Sequence, residues 1–121
     1  MEGKGKKHWI FADGDMPPAG DTEPFGHEAL MIVNTGDAAV NCELTFYFEE
    51  TEPKEGIIIE VGGRRVRCVR LDHPLGTEGY KLPLGQYALE VNASNPVVAV
   101  FGRLDVRQTN LAYYPVQGFS F

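Results

Sequence analysis

The sequence predicts an all-β protein, with a two-sheet antiparallel β-sandwich favoured over a barrel and with little or no helix. Apolar and polar residues alternate strictly over residues 38–49, as in a strand that buries one face. Turn residues recur about every ten residues, which is typical of sandwiches and barrels. No window carries apolar residues at helical spacing with capping residues at both ends. The 121 residues, of which 43% are hydrophobic and 23% charged, predict one globular domain over residues 1–121.

The first half of the chain contains the clearest strand signals. A short strand is predicted at residues 9–12, and the apolar run at 29–33 predicts a second strand. Residues 34–37, with the sequence Asn-Thr-Gly-Asp, have the length and the glycine of a hairpin turn that leads into 38–49. The side chains predicted to point inward from that third strand are Val40, Cys42, Leu44, Phe46 and Phe48.

The middle of the chain predicts two further strands and a long loop. The isoleucine-rich segment 56–61 is followed by Gly62-Gly63, which predicts a tight reversal into a strand at 64–71. Proline and glycine recur through residues 72–85, so this segment is predicted to be a loop.

The last third of the chain predicts three more strands. Residues 87–92 and 97–104 predict a strand pair joined around 93–96, and residues 111–116 predict a final strand. The best candidate for a helical turn is at residues 107–110.

Two of the predicted strands are apolar on both faces. Residues 29–33 and 97–101 lack the alternation of a half-exposed strand, and a strand of this kind needs cover on each side. The opposing sheet covers one face. The other face is covered either by a loop or by another subunit, and the sequence leaves both alternatives open.

The charge and hydropathy of the chain argue against several classes of function. The formal net charge is −6 and the isoelectric point is near 5.0, so the overall field repels polyanions and we expect no nucleic-acid partner. No apolar run approaches the roughly 20 residues that span a bilayer. The apolar segment near the N-terminus is too short for a signal-peptide core, so we expect a soluble, cytoplasmic protein.

The reactive side chains predict binding and not catalysis. The serines, Ser94 and Ser120, lie in no nucleophile-elbow context. Cys42 and Cys68 lie in strand patterns and are predicted to be buried free thiols. The three histidines have no metal-ligand spacing. We therefore expect no catalytic residue, no metal and no cofactor.

Four arginines fall within seven residues of one predicted strand, namely Arg64, Arg65, Arg67 and Arg70. Alternation places Arg65 and Arg67 on one face and Arg64 and Arg70 on the other, so the four cannot all be buried. Such charge either protects an edge strand and forms surface ion pairs, or it lines a polar ligand pocket or a subunit contact. The residues alone do not decide between these interpretations.

A second charged cluster ends the apolar strand predicted at 97–104. It has the sequence Arg103-Leu104-Asp105-Val106-Arg107-Gln108. An arginine held by a neighbouring carboxylate is a pre-aligned set of hydrogen-bond donors, and strand ends that open into loops are common binding sites. The cluster is therefore a candidate binding site.

Several short motifs, taken together in their order and spacing, resemble the sensory rhodopsin transducer family over nearly the whole chain. The motifs are Trp9-Ile10-Phe11-Ala12-Asp13-Gly14, Met16-Pro17-Pro18, His27-Glu28, Asn34-Thr35-Gly36, Arg64-Arg65 with Val69-Arg70, Asn95-Pro96-Val97-Val98 and, above all, Arg103-Leu104-Asp105-Val106-Arg107-Gln108.

The resemblance implies a jelly-roll-like β-sandwich that assembles as a homotetramer and acts in signal transduction. Members of the family have been considered sensors of small polar ligands such as sugars, and the founding member couples to a photoreceptor rhodopsin. On this resemblance, the positions in or near a polar ligand-binding site are Glu28, Arg65, Arg70, Arg103, Asp105, Arg107 and Gln108.

Two functional hypotheses follow. In the first, the protein is an oligomeric binding and signalling module for a small polar, sugar-like ligand. The arginines donate paired hydrogen bonds, Glu28 and Asp105 accept or orient, and an aromatic ring stacks on the ligand. The rings considered for stacking are Trp9, Tyr87 and Tyr113. In the alternative, the protein is an interaction adaptor that couples to a membrane receptor or photoreceptor and binds no small molecule.

Overall fold

A computed structural model describes residues 1–107 and 111–121, and this part of the chain contains eight β-strands and no helix. The predicted all-β class is therefore confirmed. Accordingly, the described residues include no helical segment that could span a membrane. The strands are β1 (Lys6–Met16), β2 (His27–Asn34), β3 (Val40–Tyr47), β4 (Lys54–Val61), β5 (Arg65–Arg70), β6 (Gly85–Asp105), β7 (Ala112–Val116) and β8 (Gly118–Ser120).

The strands form two antiparallel sheets that face each other as a sandwich. Sheet A has the order β4-β3-β6-β1-β8, and sheet B has the order β5-β2-β6-β7. Strand β6 belongs to both sheets, because its first half pairs with β1 and β3 and its second half pairs with β2 and β7. Apolar side chains from both sheets form one core between them.

The long strand β6 corrects one prediction. The strand pair predicted at 87–92 and 97–104 is wrong, because the chain continues through 93–96 as a single strand of 21 residues. The residue before a proline favours extended backbone, so Asn95-Pro96 is compatible with a strand as well as with a turn. Proline lacks the N–H that a sheet requires, and Pro96 lies where β6 passes from sheet A to sheet B, so the missing donor costs little.

The predicted hairpin at residues 34–37 is also wrong. Strand β2 pairs in sheet B and β3 pairs in sheet A, so this segment crosses between the sheets. The buried Asn34 side chain closes the crossing, since its amide donates to the carbonyls of Ala38 at 2.8 Å and Val61 at 3.3 Å. Its side-chain oxygen accepts from the Gly36 N–H at 3.0 Å. A short connection that contains glycine has the same kind of sequence whether it joins two paired strands or crosses between two sheets. The sequence alone therefore does not distinguish a hairpin from a crossing.

The Gly62-Gly63 reversal makes a second crossing of this kind. It connects β4 in sheet A to β5 in sheet B, so the two strands are not a hairpin as the glycines predict. A Cβ atom on Gly63 would lie 1.9 Å from the carbonyl oxygen of Asp37, so glycine is required where the two crossings touch.

The predictions for the remaining segments agree better with the structure. Residues 72–84 form a loop in which, among the described residues, one isolated bridge pairs Leu75 with Tyr80, and Gly85 already belongs to β6. The final strand predicted at 111–116 is β7, whereas the three-residue β8 has no counterpart in the prediction. The turn predicted at 107–110 lies mostly outside the described residues.

The core confirms the alternation predicted for 38–49 within β3, except that Thr45 is buried as well, and Phe48 lies beyond the strand and is half-buried. The even-numbered side chains of β3 from Val40 to Phe46 are buried. The Phe46 and Tyr87 rings lie 5.7 Å apart between centroids, and Tyr87 and Phe101 lie 6.4 Å apart. Each fully buried phenylalanine contributes roughly 1.5–3 kcal/mol to folding, so these contacts join the two sheets firmly.

The strands that are apolar on both faces leave one apolar face exposed. Side chains of β6 alternate here: Val97 and Ala99 point into the core, while Val98 and Val100 are 39% and 55% exposed. Their exposure shows that no loop of the described residues covers them. The outer face of sheet B consists of aligned side chains from three neighbouring strands, namely Met31, Val33, Val66, Cys68, Val98 and Val100.

The two cysteines differ in environment. Cys42 is a buried free thiol as predicted, and burial raises its pKa to about 11. Cys68 is also a free thiol, but it is exposed, so the prediction that it is buried is wrong. Its strand, β5, is an edge strand of sheet B, and its side chain points to the outer face of that sheet.

Candidate functional site

A buried ion pair lies between the sheets at one end of the sandwich. Glu28 on β2 and Arg103 on β6 are direct register partners, so both side chains project from the same face of sheet B. The Nε atom of Arg103 donates to Oε2 of Glu28 at 2.8 Å. The side chains are 0% and 6% exposed, which makes this pair the charged centre of the candidate site.

The Glu28 carboxylate has protein donors on both oxygens. The Tyr87 hydroxyl donates to Oε1 at 2.6 Å, and the backbone N–H of Asp15 donates to Oε2 at 3.0 Å. Burial raises the pKa of Tyr87, and the neighbouring carboxylate raises it further, so the hydroxyl keeps its proton. Among the described residues, no buried side-chain nitrogen or oxygen lacks a hydrogen-bond partner.

The last residues of β1 place their backbone in this network. The register of β1 against β6 shifts between Phe11 and Gly14, as a β-bulge does, and bulges are common beside functional sites. A Cβ atom on Gly14 would lie 2.6 Å from the Tyr87 ring, so glycine lets this tyrosine reach Glu28. The motif Asp13-Gly14-Asp15 therefore supplies main-chain groups to the site.

The Arg103 guanidinium has three protein acceptors. Besides Glu28, it donates to the carbonyl oxygen of Asp13 at 2.7 Å and to the Tyr114 hydroxyl at 3.1 Å. It also stacks on the Tyr114 ring, 5.3 Å from the ring centroid. Burial opposes the charged form, but the hydrogen bonds to Tyr114 and Glu28 outweigh it and raise the pKa of Arg103. This arginine is therefore cationic and held in one orientation.

Exposed polar groups surround the outer side of the buried pair. Arg107 donates to both carboxylate oxygens of Asp105, and Asp105 lies two residues beyond Arg103 on the same strand. The hydrogen bonds from Arg107 lower the pKa of Asp105 to about 2. A cavity of about 430 Å³ is lined by Asp105, Arg107, Ala112 and Tyr114. With the exposed carboxylate of Asp13, 3.8 Å from Arg103, these residues form what we call the mouth, namely Asp13, Asp105, Arg107 and Tyr114.

The arginines of β5 lie elsewhere. Arg65 pairs in register with Asn34, at the opposite end of β2 from Glu28, which is about 20 Å away at about 3.3 Å per residue. Its guanidinium donates to the carbonyls of Gly63 and Arg64 beside it. Arg65 is therefore not part of the mouth.

Arg70 and Arg67 bind neighbouring protein groups, as expected for charged residues that protect an edge strand. Arg70 makes two hydrogen bonds of 2.8 Å to the Asp72 carboxylate. Burial opposes ionisation of Asp72, but these bonds outweigh it and lower its pKa. Arg67 donates to the carbonyl of Glu60 at 2.7 Å, across the gap between the edge strands β5 and β4. The structure therefore does not bring the β5 arginines together with Arg103.

Of the seven predicted site residues, the structure gathers four at one end of the sandwich, namely Glu28, Arg103, Asp105 and Arg107. Gln108 lies outside the described residues. Tyr114 is not among the predicted site residues. It reaches Arg103 only because β7 returns beside β6 with these two residues in register. Tyr87 is one of the rings considered for stacking on a ligand, but its ring is buried and its hydroxyl binds Glu28.

The other two aromatic residues considered for stacking lie outside the mouth. The indole N–H of Trp9 donates to the carbonyls of Lys6 and Val97, so this side chain is part of the scaffold. Tyr113 pairs in register with Leu104 and is 65% exposed. Among the described residues, no three His, Cys, Asp or Glu side chains come together as the ligands of a metal ion would.

Comparison with known proteins relates the whole chain to one family. A family model described as Anabaena sensory rhodopsin transducer matches residues 4–120. A crystal structure titled Thermotoga maritima 1070 shares 28% identity, with a TM-score of 0.83 over 97% of this chain and 96% of that one. The structure titled Anabaena sensory rhodopsin transducer shares 29% identity, with a TM-score of 0.75 over 89% of this chain and 96% of that one. No curated protein sequence matches significantly.

Proposed function

Because the chain belongs to the Anabaena sensory rhodopsin transducer family, a family of signalling modules, we propose that it senses a small polar, sugar-like ligand bound at the mouth of the sandwich. We propose that residues 1–121 act as one cytoplasmic domain that binds its ligand without catalysing a reaction. The proposal is supported by the mouth, where Asp105 and Arg107 lie next to the buried Glu28–Arg103 pair.

The observation that supports this proposal is a costly buried ion pair directly beneath exposed polar groups. A buried ion pair is weak evidence of stability, since well-packed apolar residues often do as well or better. The Glu28–Arg103 pair is nevertheless accompanied by partners that fix its orientation. Sites that bind polar ligands need this kind of rigid second layer.

The exposed residues of the mouth have the chemistry that vicinal hydroxyl groups require. Asp105 accepts hydrogen bonds, and Arg107, which is held by Asp105, presents its remaining N–H groups in a planar fork. Tyr114 is 37% exposed and can stack on the apolar face of a sugar ring. A volume of about 430 Å³ lies within the range of small-molecule sites.

Calorimetric titration with a panel of mono- and disaccharides tests the ligand. We expect saturable heat from one or more sugars, and we expect Arg107→Ala to abolish it while the fold is retained. Arg65→Ala is the matched control, because it removes another exposed arginine at the far end of β2. Equal loss in both variants, or no heat from any sugar with the wild-type protein, would contradict the ligand proposal.

A second candidate function is coupling to a membrane receptor. The family and one similar structure bear the name of a sensory rhodopsin transducer, so a rhodopsin-type receptor is the partner to test. In this case the charges of the mouth contact the receptor instead of a sugar. Retention of the protein by an immobilised sensory rhodopsin, together with no heat from the sugar panel, would favour this function over the first.

We also propose that the protein forms a homo-oligomer, a tetramer by family resemblance, through the outer face of sheet B. Val98 and Val100 on this face are exposed next to Met31 and Val33, with Val66 beyond them on β5. Contiguous exposed apolar surface of this kind is typical of homo-oligomer interfaces.

Light scattering during gel filtration tests the interface. Val100→Lys places a charge in the middle of the outer face and is expected to shift the protein to monomer. Ile58→Lys is the matched control, because Ile58 is an equally exposed aliphatic residue (50% against 55%) on the outer face of sheet A. A wild-type monomer, or dissociation by both variants, would contradict the proposed interface.

A further inference from the structure

Three segments of the chain meet at the end of the sandwich opposite the mouth and carry cations there. Residues 3–7 include the start of β1, 34–37 form the first crossing, and 62–65 form the second crossing and the start of β5. The backbone N–H of Lys4 donates to the Thr35 hydroxyl oxygen at 2.8 Å. We call this region the basic end, defined by Lys4, Lys6, Lys7, Arg64 and Arg65.

We propose that the basic end docks the protein on an anionic membrane surface. The proposal is independent of the ligand proposed for the mouth, since the two regions lie at opposite ends of β2. The partner is a bilayer that contains acidic phospholipids, which the cations recognise by charge.

The basic end is rigid because its turns are bonded to each other. The backbone N–H of Arg64 donates to the carbonyl of Gly36 at 2.8 Å, which ties the second crossing to the first. The Asn34 amide also donates to the Gly62 carbonyl at 3.2 Å. The backbone that carries Arg64 and Arg65 is thus fixed before any partner binds, which reduces the entropy lost on binding.

Arg64 occupies a backbone conformation that an arginine adopts at a cost. Its φ is +54°, in the left-handed region, where residues with a Cβ are disfavoured by roughly 1–2 kcal/mol. Two glycines precede it, so a third would fit the turn without strain. Strained residues persist mainly where they serve a function, and here the strain projects a guanidinium whose side chain is 69% exposed and lies 3.8 Å from the exposed Asp37 carboxylate.

The distribution of charge favours docking by this end. All five cations of the basic end are exposed, and they are nearly half of the 11 lysines and arginines of the chain. Two acidic residues, Glu2 and Asp37, lie among them, so the basic end keeps a net positive charge. The whole protein nevertheless has a net charge of −6, so the remainder is strongly acidic and is repelled by an anionic surface. Attraction at one end and repulsion elsewhere orient the molecule end-on.

An apolar side chain among these cations favours a lipid surface over a nucleic acid. Met1 is 81% exposed and lines a cavity of about 490 Å³ together with Lys4, Val33, Arg64 and Arg65. At a membrane, cations meet the phosphate groups while apolar side chains enter the boundary of the acyl chains. A phosphodiester backbone offers no such apolar layer, and the net charge of the protein opposes its approach.

Vesicle co-sedimentation tests the proposal. We expect the wild-type protein to bind vesicles of phosphatidylcholine mixed with phosphatidylglycerol, and not vesicles of phosphatidylcholine alone. Binding is expected at an ionic strength of about 0.01 M and not at about 1 M, where the screening length falls from about 30 to about 3 Å. Arg64→Gln with Arg65→Gln is expected to lower the partition coefficient about 30-fold, since each basic residue near such a surface contributes about a factor of five.

Two controls distinguish a loss of docking from an effect of the net charge and from an effect of unfolding. Lys54→Gln with Lys81→Gln also changes the net charge from −6 to −8 but lies outside the basic end, so it is expected to bind vesicles normally. Arg64→Gly relieves the left-handed strain and is expected to unfold no more readily than the wild type, yet to bind about five-fold less tightly. Equal loss in both double variants would overturn the proposal. Failure of the wild-type protein to bind anionic vesicles, or its preference for duplex DNA over them, would also overturn the proposal.

Discussion

Two arginine–carboxylate pairs at the end of β6 differ mainly in burial. In the first, Arg103 binds Glu28 between the sheets, and both side chains are almost inaccessible to water. In the second, Arg107 binds Asp105 with comparable hydrogen bonds, but the Arg107 side chain is 53% exposed and the Asp105 side chain 18%. The same chemistry therefore occurs in two environments near the end of one strand.

The difference in burial assigns different roles to the two pairs. In water, an exposed ion pair contributes about 0–1 kcal/mol to folding, because the charges are well solvated without each other. Between the sheets, loss of one partner leaves an uncompensated buried charge, which costs about 3–5 kcal/mol. The buried pair therefore maintains the structure of the site, whereas the exposed pair leaves the remaining N–H groups of Arg107 accessible to a ligand.

The largest expected effect comes from separating the buried pair. Arg103→Met leaves the Glu28 carboxylate buried without its cation, so we expect the free energy of unfolding to fall by about 3–5 kcal/mol in urea denaturation. Arg107→Met, the matched change in the exposed pair, is expected to cost about 1 kcal/mol or less. Replacing both partners, as in Glu28→Leu with Arg103→Met, is expected to recover most of the loss. Similar losses from the two single variants would show that burial does not distinguish the pairs.

A smaller effect is expected from the tyrosine that supports the buried carboxylate. Tyr87→Phe removes the hydroxyl that donates to Oε1 of Glu28 and is expected to lower the free energy of unfolding by about 1–3 kcal/mol. Tyr47→Phe is the control, because the Tyr47 hydroxyl donates to Glu90 on the exposed face of sheet A and its loss should cost about 0.5 kcal/mol or less. Thermal unfolding of both variants measures the difference, and a more damaging Tyr47 variant would contradict it.

The parts of the fold that were predictable from sequence depend on local patterns. The alternation in β3 follows from side-chain geometry within one strand, and its buried face is as predicted. Pairing between strands is not local. Residues 34–37 and Gly62-Gly63 have turn sequences whether they join neighbours in one sheet or cross to the other, so the sequence predicts a reversal at both crossings.

The candidate site shows the same division. Asp105 and Arg107 are close in sequence, so their contact could be expected from spacing alone. The partners of Arg103 could not, because Glu28 is 75 residues away and Tyr114 depends on the return of β7 beside β6. A cluster of arginines in sequence likewise gives no information on convergence, since an edge strand also benefits from charge, and that is the position of β5.

The smallest expected effect is in the titration of the exposed pair. Asp105 has a pKa of about 2 in the folded protein, below its ordinary value of 3.8, because Arg107 donates to the ionised carboxylate. With a folded pKa below the unfolded one, the contribution of this pair to stability is fully present above about pH 4 and is lost as the pH falls through 2. Arg107→Gln is expected to move the pKa of Asp105 back toward 3.8, measured by NMR titration of its carboxyl carbon. The stabilities of wild type and variant should then converge between pH 4 and pH 2.

An unchanged Asp105 pKa in the variant would mean that the exposed pair does not hold together in solution. Arg107 would then lack the fixed orientation on which ligand binding at the mouth depends.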